Sequence, residues 1–135
     1  VCSSDLGGRN FACGSSRENA VWAFYDHGVR AVIAPSFGDI FANNAVKNGM
    51  LAVTLPGEVV ASLIAQSEAD PAAEISIDLP AQTGTGPDGQ VHSFEIDPFA
   101  KKCLLEGLDD IASTLKSDPA ITGFETKMAA DRPWL

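Results

Sequence analysis

A pentapeptide near the start of the chain combines groups that bind anions with groups that move protons. Residues 14–18 read GSSRE. Ser15 and Glu18 have capping-box spacing, and apolar residues follow at helical spacing, so the pattern predicts a helix from Glu18 to His27. The first N–H groups of a helix lack intrahelical acceptors and favour bound carboxylates. Arg17 adds a planar fork that matches a carboxylate, and a serine in this setting is a candidate general base.

A structural interpretation of the same pentapeptide stays open, and from its chemistry alone it is the commoner case. Serine before a helix most often only caps the first turn. The capping and catalytic roles are compatible for adjacent serines, because Ser15 and Ser16 can divide them.

The composition indicates one acidic domain. The chain has 135 residues, 45% of them hydrophobic, and a formal net charge of −9. A chain of this size forms one domain with one core, and its charge makes nucleic acid an unexpected partner. The sequence contains neither an apolar run of roughly 20 residues nor a signal-peptide pattern, which predicts a cytoplasmic protein without a membrane partner.

The cysteines exclude the usual metal and disulfide frameworks. Cys2, Cys13 and Cys103 are odd in number, and no pair has C-x-x-C spacing. A disulfide framework is therefore not expected, and the spacing does not suit an iron–sulfur cluster held by this chain alone. We expect Cys13 and Cys103 to be reduced, partly buried thiols.

The order of predicted elements is that of an α/β layered domain. Helices and buried strands alternate in the first half of the chain, with strands over 29–34 and 50–55 and helices over 37–48 and 58–66. The second half predicts a hairpin of strands 74–79 and 91–96 around a loop at 83–89. It then predicts an Asp97-capped helix with an apolar side extending to Leu115, and a last helix from Asp118 to about Met128.

The beginning of the chain does not fit this order. Residues 1–6 are expected to be a foreign or disordered start, because they are polar and irregular. Residues 7–135 are expected to form the domain. Because the site motif lies so early in the chain, we expect this domain to be incomplete at its N-terminus.

Several motifs, in the same order along the chain, resemble the small subunits of 3-isopropylmalate dehydratase, a family with the swivel domain of the aconitase superfamily. The most specific is RNFACGSSRE at residues 9–18. The others are VRAVIAPSF at 29–37, DIFANN at 39–44, KNG at 47–49, FEIDPF at 94–99, CLLEGLDDI at 103–111 and RPWL at 132–135. Together they span roughly residues 8–135.

The resemblance implies an aconitase-like swivelling β/β/α domain and a hydro-lyase subunit. The family isomerises 2-isopropylmalate and 3-isopropylmalate by dehydration and rehydration in leucine biosynthesis. The [4Fe–4S] cluster, which acts as a Lewis acid, belongs to a separate large subunit in this family. The resemblance therefore implies that this chain binds no cofactor itself and that it forms a heterodimer with a large subunit. The alternatives are a related hydro-lyase subunit, acting on homoaconitate, citraconate or a methylcitrate-like acid, and a non-catalytic assembly module.

The resemblance also implies roles for the pentapeptide. Ser15 matches the general base that removes a proton next to a carboxylate, Arg17 matches the substrate-carboxylate ligand, and Ser16 matches a neighbouring substrate-binding serine. Two positions depart from the pattern, because Asn19 and Val21 stand where the family usually has His and Pro. These departures bear on the positioning of the site.

Overall fold

The fold is a mixed α/β domain with two three-stranded sheets, seen in a computed structural model that describes residues 3–108, 110–132 and 134. Cys2 and the motif residues Asp109, Pro133 and Leu135 lie outside that part of the chain. In chain order the elements are β1 (Ser3–Leu6), α1 (Asn19–Asp26), β2 (Val29–Ala34), α2 (Asp39–Lys47), β3 (Leu51–Thr54), α3 (Gly57–Ala69), β4 (Ser76–Asp78), β5 (Thr83–Thr85), β6 (Val91–Ser93), α4 (Pro98–Glu106), α5 (Asp110–Leu115) and α6 (Asp118–Asp131).

A parallel sheet of order β1-β2-β3 forms the centre of the domain. Its middle strand β2 is buried along almost its whole length, as its run of β-branched and small apolar residues predicts. Ile33 packs with Val60 and Leu63 of α3 on one face. Val32 packs with residues of α1 and α2 on the other face. Two apolar cores therefore lie on opposite sides of one sheet.

The first strand of that sheet begins earlier than the sequence indicated. Ser3–Leu6 pair with β2 in parallel, with Leu6 opposite Ile33, and Gly7 N donates to Ile33 O at 2.9 Å. The disordered alternative therefore does not hold for residues 3–6, because β2 offers them a free edge. The boundary at residue 7 and the foreign origin of residues 1–6 stay predictions.

The second sheet is a three-stranded meander and not the predicted two-stranded hairpin. β5 runs antiparallel between β4 and β6, with Gly84 opposite both Ile77 and His92. The glycines of residues 83–89 indicated a loop, but buried Gly84 lies in the central strand. Backbone pairing on two sides holds a strand whose side chains contribute little.

The C-terminal region divides where the sequence predicted one helix. Asp97 caps α4 by accepting from Phe99 N and Ala100 N at 2.9 and 3.0 Å, as predicted. Gly107 then ends α4 in the left-handed conformation, at φ +62°. The expected apolar side is buried only in part: Leu104 packs against the core, whereas Leu105, Ile111 and Leu115 are 51%, 69% and 61% exposed.

The last helices show the same exposure. Ile121, Phe124 and Trp134 are exposed, and α6 buries none of its described side chains.

An ion pair joins the end of α4 to the segment before α6. Lys116 contacts Glu106, and this ammonium group lowers the pKa of the Glu106 carboxyl. In the described part of the chain no helix is long and apolar enough to cross a membrane.

Candidate functional site

The loop between residues 9 and 18, here called the site loop, leads from the first strand into α1 and carries the three predicted site residues. Ser15 is half-buried, whereas Ser16 and Arg17 are exposed. Ser15 Oγ accepts from Arg17 N and donates to Arg17 O, each at 3.3 Å. The Arg17 side chain forms no ion pair with any described carboxylate, which leaves its fork available to an anion.

The predicted capping box is not formed. α1 begins at Asn19, its N-cap residue is Glu18, and no side chain caps it. Ser15 lies too early to reach the first turn and bonds within its own loop. The Glu18 carboxylate turns away from Ser15, because its Oε1 accepts from Asn48 Nδ2 at 2.6 Å. The capping prediction for Ser15 was therefore wrong, and the hydroxyl is not used by the helix.

Backbone bonds to the segment before α2 hold the first half of the loop. Phe11 N donates to Ser36 O and Gly38 N donates to Phe11 O, both at 2.9 Å. Ser36 Oγ accepts from Asn10 N at 2.7 Å and donates to Asn10 Oδ1 at 3.1 Å. These bonds secure Asn10 and Ala12, whose φ values of +55° and +56° are uncommon for residues with a side chain.

Gly38 permits the close approach of the loop to α2. A Cβ atom added at Gly38 would lie 2.9 Å from Cys13 Cα and 3.3 Å from Ala12 O. Both neighbours are backbone atoms, so the loop could not yield without moving the residues just before Ser15.

An aromatic cluster supports the loop from below. Phe11 lies within 5.6–6.0 Å of the rings of Phe24, Phe37 and Phe41, measured between ring centroids. Phe37 stacks on Phe41 at 6.2 Å. Phe41 belongs to the core cluster shared with Val21, so the loop rests on the same core that holds α1 and α2 against the sheet.

Side chains from the two helices hold the second half of the loop. Asn48, the C-cap residue of α2, donates to Glu18 Oε1 and accepts from Trp22 Nε1 at 3.0 Å. Glu18 O in turn accepts from Val21 N and Trp22 N, at 2.9 and 3.2 Å. The loop is thus fixed at both ends.

The two departures from the family pattern have different surroundings. Asn19 is exposed on the first turn of α1. Val21 is fully buried, and its N–H donates to Glu18 O at 2.9 Å, a bond that proline could not form. Valine therefore fits this position in both packing and hydrogen bonding.

The cysteines of the described residues do not fit an iron–sulfur cluster. Cys13 lies exposed in the site loop, whereas Cys103 is buried in α4, and both are free thiols. The expectation of a partly buried Cys13 was wrong, because the loop turns its side chain outward. Among residues 3–108, 110–132 and 134, no three His, Cys, Asp or Glu side chains are grouped as a metal site.

A groove of about 680 Å³ lies between α2 and α4, and it is separate from the predicted site residues. Its lining includes Ile40, Phe99 and Cys103, but not Ser15, Ser16 or Arg17. The predicted site residues thus lie on an exposed loop, outside this groove.

Sequence reasoning found the reacting groups but not the residues that hold them. Asn10, Ser36, Gly38 and Asn48 all lie within the quoted motifs or directly beside them, yet none had an assigned role. The left-handed Asn10 carries a weak signal, since asparagine is enriched in that backbone region. Nothing local indicates the partners of Asn10 and Asn48, which lie 26–30 residues away.

Comparison with known proteins first identifies the class. The Aconitase C-terminal domain model matches residues 6–58, which contain β2, β3 and the site loop. The fold and the site thus define a domain of the aconitase C-terminal class. A model described as LeuD_N matches residues 61–98, and a model of the C-terminal domain of the 3-isopropylmalate dehydratase small subunit matches residues 110–135.

Individual relatives identify the family within that class. The chain is 53% and 52% identical, over 130 residues, to proteins named 3-isopropylmalate dehydratase small subunit from Xanthobacter autotrophicus and Roseobacter denitrificans. Each match covers 96% of this chain and 65% of the relative, so the chain spans just under two-thirds of those proteins. The chain belongs to the 3-isopropylmalate dehydratase small-subunit family.

A solved structure agrees with this assignment. The crystal structure of 3-isopropylmalate dehydratase from Methanocaldococcus jannaschii superimposes with a TM-score of 0.65 at 27% sequence identity. The match covers 90% of this chain and 68% of that one. The predicted family and the predicted swivel-type α/β fold are both confirmed.

Proposed function

We propose that this chain is the small subunit of a cytoplasmic 3-isopropylmalate dehydratase and is active only with a large subunit. The observation that supports this proposal most strongly is the sequence identity of 53%, over 130 residues, between this chain and a protein named 3-isopropylmalate dehydratase small subunit. The large subunit is proposed to hold the [4Fe–4S] cluster, since the described cysteines of this chain do not fit one. The reaction interconverts 2-isopropylmalate and 3-isopropylmalate in leucine biosynthesis.

Ser15 is proposed as the general base. Its Oγ takes a proton from the carbon next to a substrate carboxylate, a double bond forms, and hydroxide leaves the neighbouring carbon. In the second half of the reaction, hydroxide adds to the carbon that lost the proton, and the Ser15 hydroxyl returns the proton to the carbon that lost hydroxide. The geometry supports this role because, among the described residues, Ser15 Oγ bonds only to the backbone N and O of Arg17, both at 3.3 Å, so no other side chain occupies the hydroxyl.

Arg17 and Ser16 are proposed to bind the substrate carboxylates. Both side chains are exposed just before α1, where the first N–H groups of the helix add positive potential. The arginine fork, which has no ion pair among the described residues, can bind one carboxylate through two parallel hydrogen bonds. The Ser16 hydroxyl supplies a further donor beside it.

Activity of the assembled complex tests the proposed function. The chain is co-purified with a cluster-loaded large subunit from a relative, and 2-isopropylmalate is followed to 3-isopropylmalate. We expect isomerisation of this substrate at a higher kcat/KM than hydration or dehydration of homoaconitate, citraconate or methylcitrate-like acids. A higher kcat/KM for another diacid would establish a related hydro-lyase, and a stable complex inactive on all four would favour an assembly module.

The substitution Arg17→Lys tests carboxylate binding without removing the charge. We expect KM to rise about 10-fold or more, because a charge-assisted hydrogen bond contributes about 1.5–3 kcal/mol. Steady-state kinetics of the complex measure the change. Arg9→Lys is the matched control, since Arg9 is also exposed in the same loop. Equal KM values for the two variants would remove Arg17 from the substrate site.

A further inference from the structure

Asn48 has every polar group of its side chain engaged. Nδ2 donates to Glu18 Oε1 at 2.6 Å and to Asn44 O at 2.8 Å, while Oδ1 accepts from Trp22 Nε1 at 3.0 Å. The orientation of the amide is determined by chemistry, because a carboxylate and a carbonyl only accept here and an indole N–H only donates. A flipped amide would lose all three bonds.

The Glu18 bond connects the end of α2 to the site loop. Glu18 follows Arg17 directly, and its φ and ψ of −63° and −24° place it as the N-cap residue of α1. Arg17 O accepts from both Ala20 N and Ser15 Oγ. A shift of Glu18 would therefore move the Arg17 backbone, which holds the Ser15 hydroxyl.

The same bond also decides where the Glu18 charge lies. Without Asn48, the carboxylate could turn toward the guanidinium of Arg17, its neighbour in the chain, and pair with it. That pairing would compete with a substrate carboxylate for the same fork. Asn48 holds the carboxylate toward α2 and leaves the arginine to the substrate.

We propose that Asn48 is a positioning residue for the reaction, acting through Glu18 on Ser15 and Arg17. The inference rests on the proposed function, because it assigns that loop to catalysis. Asn48 touches neither of the reacting groups and lies 30 residues from Glu18 in the chain. The KNG motif at residues 47–49 thus contributes to the site from the far end of α2.

Two readouts on the assembled complex test the proposal, with Asn43→Ala as the matched control because Asn43 is an exposed asparagine on the same helix. The first readout is hydrogen exchange of the backbone at residues 14–19. In Asn48→Ala we expect about 10-fold faster exchange there, as for the loss of one charge-assisted hydrogen bond. Exchange as slow as in Asn43→Ala would overturn the proposal.

The second readout is the separation of kcat from KM. We expect kcat of Asn48→Ala to fall about 10- to 100-fold, since misplacement of a catalytic group by about 1 Å costs this much. We also expect KM to rise. Faster exchange with unchanged kcat and KM would show a merely structural role and would overturn the proposal.

A change of polarity tests the route through Glu18. Asn48→Asp sets two carboxylates against each other and should lower kcat further than Asn48→Ala. Adding Glu18→Gln lets an amide at residue 18 donate to the new carboxylate, so the double variant should turn over faster than Asn48→Asp alone. No recovery would overturn the route through Glu18. If the unmodified complex is inactive on every diacid, the proposed function fails, whereas hydrogen exchange still decides whether Asn48 fixes the loop.

Discussion

Replacement of Ser15 by alanine is expected to lower turnover of isopropylmalate by about 10²- to 10⁴-fold, the usual contribution of a general base. The loss should appear in kcat at saturating substrate, because Arg17 and Ser16 remain to bind the carboxylates. Stability should change little. Among the described residues, Ser15 Oγ bonds only to the backbone of Arg17, at the long distance of 3.3 Å, and α1 does not use it as a cap.

The control for Ser15→Ala is Ser93→Ala, which removes an exposed hydroxyl from β6 in the second sheet. Both variants should form the complex with the large subunit to the same extent, as measured by size-exclusion chromatography. Full activity of Ser15→Ala in such a complex would exclude Ser15 as the base. It would also favour the assembly-module alternative, in which the chain supports a partner without donating a base.

Truncation of Phe41 to alanine is expected to have the largest effect on stability, about 3–5 kcal/mol. Phe41 is 2% exposed and contacts Phe11, Phe24 and Phe37 at centroid distances of 5.6–6.2 Å. The cavity would lie directly beneath the site loop. Since a domain is stable by about 5–15 kcal/mol, the variant loses a large share of its free energy of unfolding.

Urea denaturation of the purified chain, or of the complex if the chain needs its partner, measures this difference. Ile40→Ala is the matched control, because Ile40 precedes Phe41 in α2 but is 48% exposed and should cost about 1 kcal/mol or less. If the two variants unfold at the same urea concentration, Phe41 does not anchor the loop to the core. Activity lost in Phe41→Ala should return in part at low temperature, where the weakened domain stays folded.

The local sequence determined several strands, helix ends and caps of the fold. β2 runs from Val29 to Ala34 as predicted, because a short run of mostly apolar residues between two breaks is typical of a buried strand. Gly28 and Gly49 have φ values of +86° and +73°, which end α1 and α2 as their positions indicated. The Asp97 cap is also as predicted, since a cap and its helix are neighbours in the chain.

Local patterns failed where a distant partner outweighed them. Ser15 and Glu18 have capping-box spacing, but Asn48 takes the Glu18 carboxylate. Thr83–Thr85 have loop composition, but two neighbouring strands bind their backbone. The apolar stripe toward Leu115 predicted a continuous buried helix, yet Gly107 divides it, and Ile111 and Leu115 beyond the division are exposed.

The sequence by itself determined the family of this protein and the three residues proposed to act on substrate, because motifs of contiguous residues carry both. Only the tertiary structure decided what holds those residues in place. Asn10 pairs with Ser36, Cys13 packs on Gly38, and Glu18 pairs with Asn48. Each pair joins positions about 25–30 residues apart that meet only in the folded domain, so no spacing along the chain could encode them.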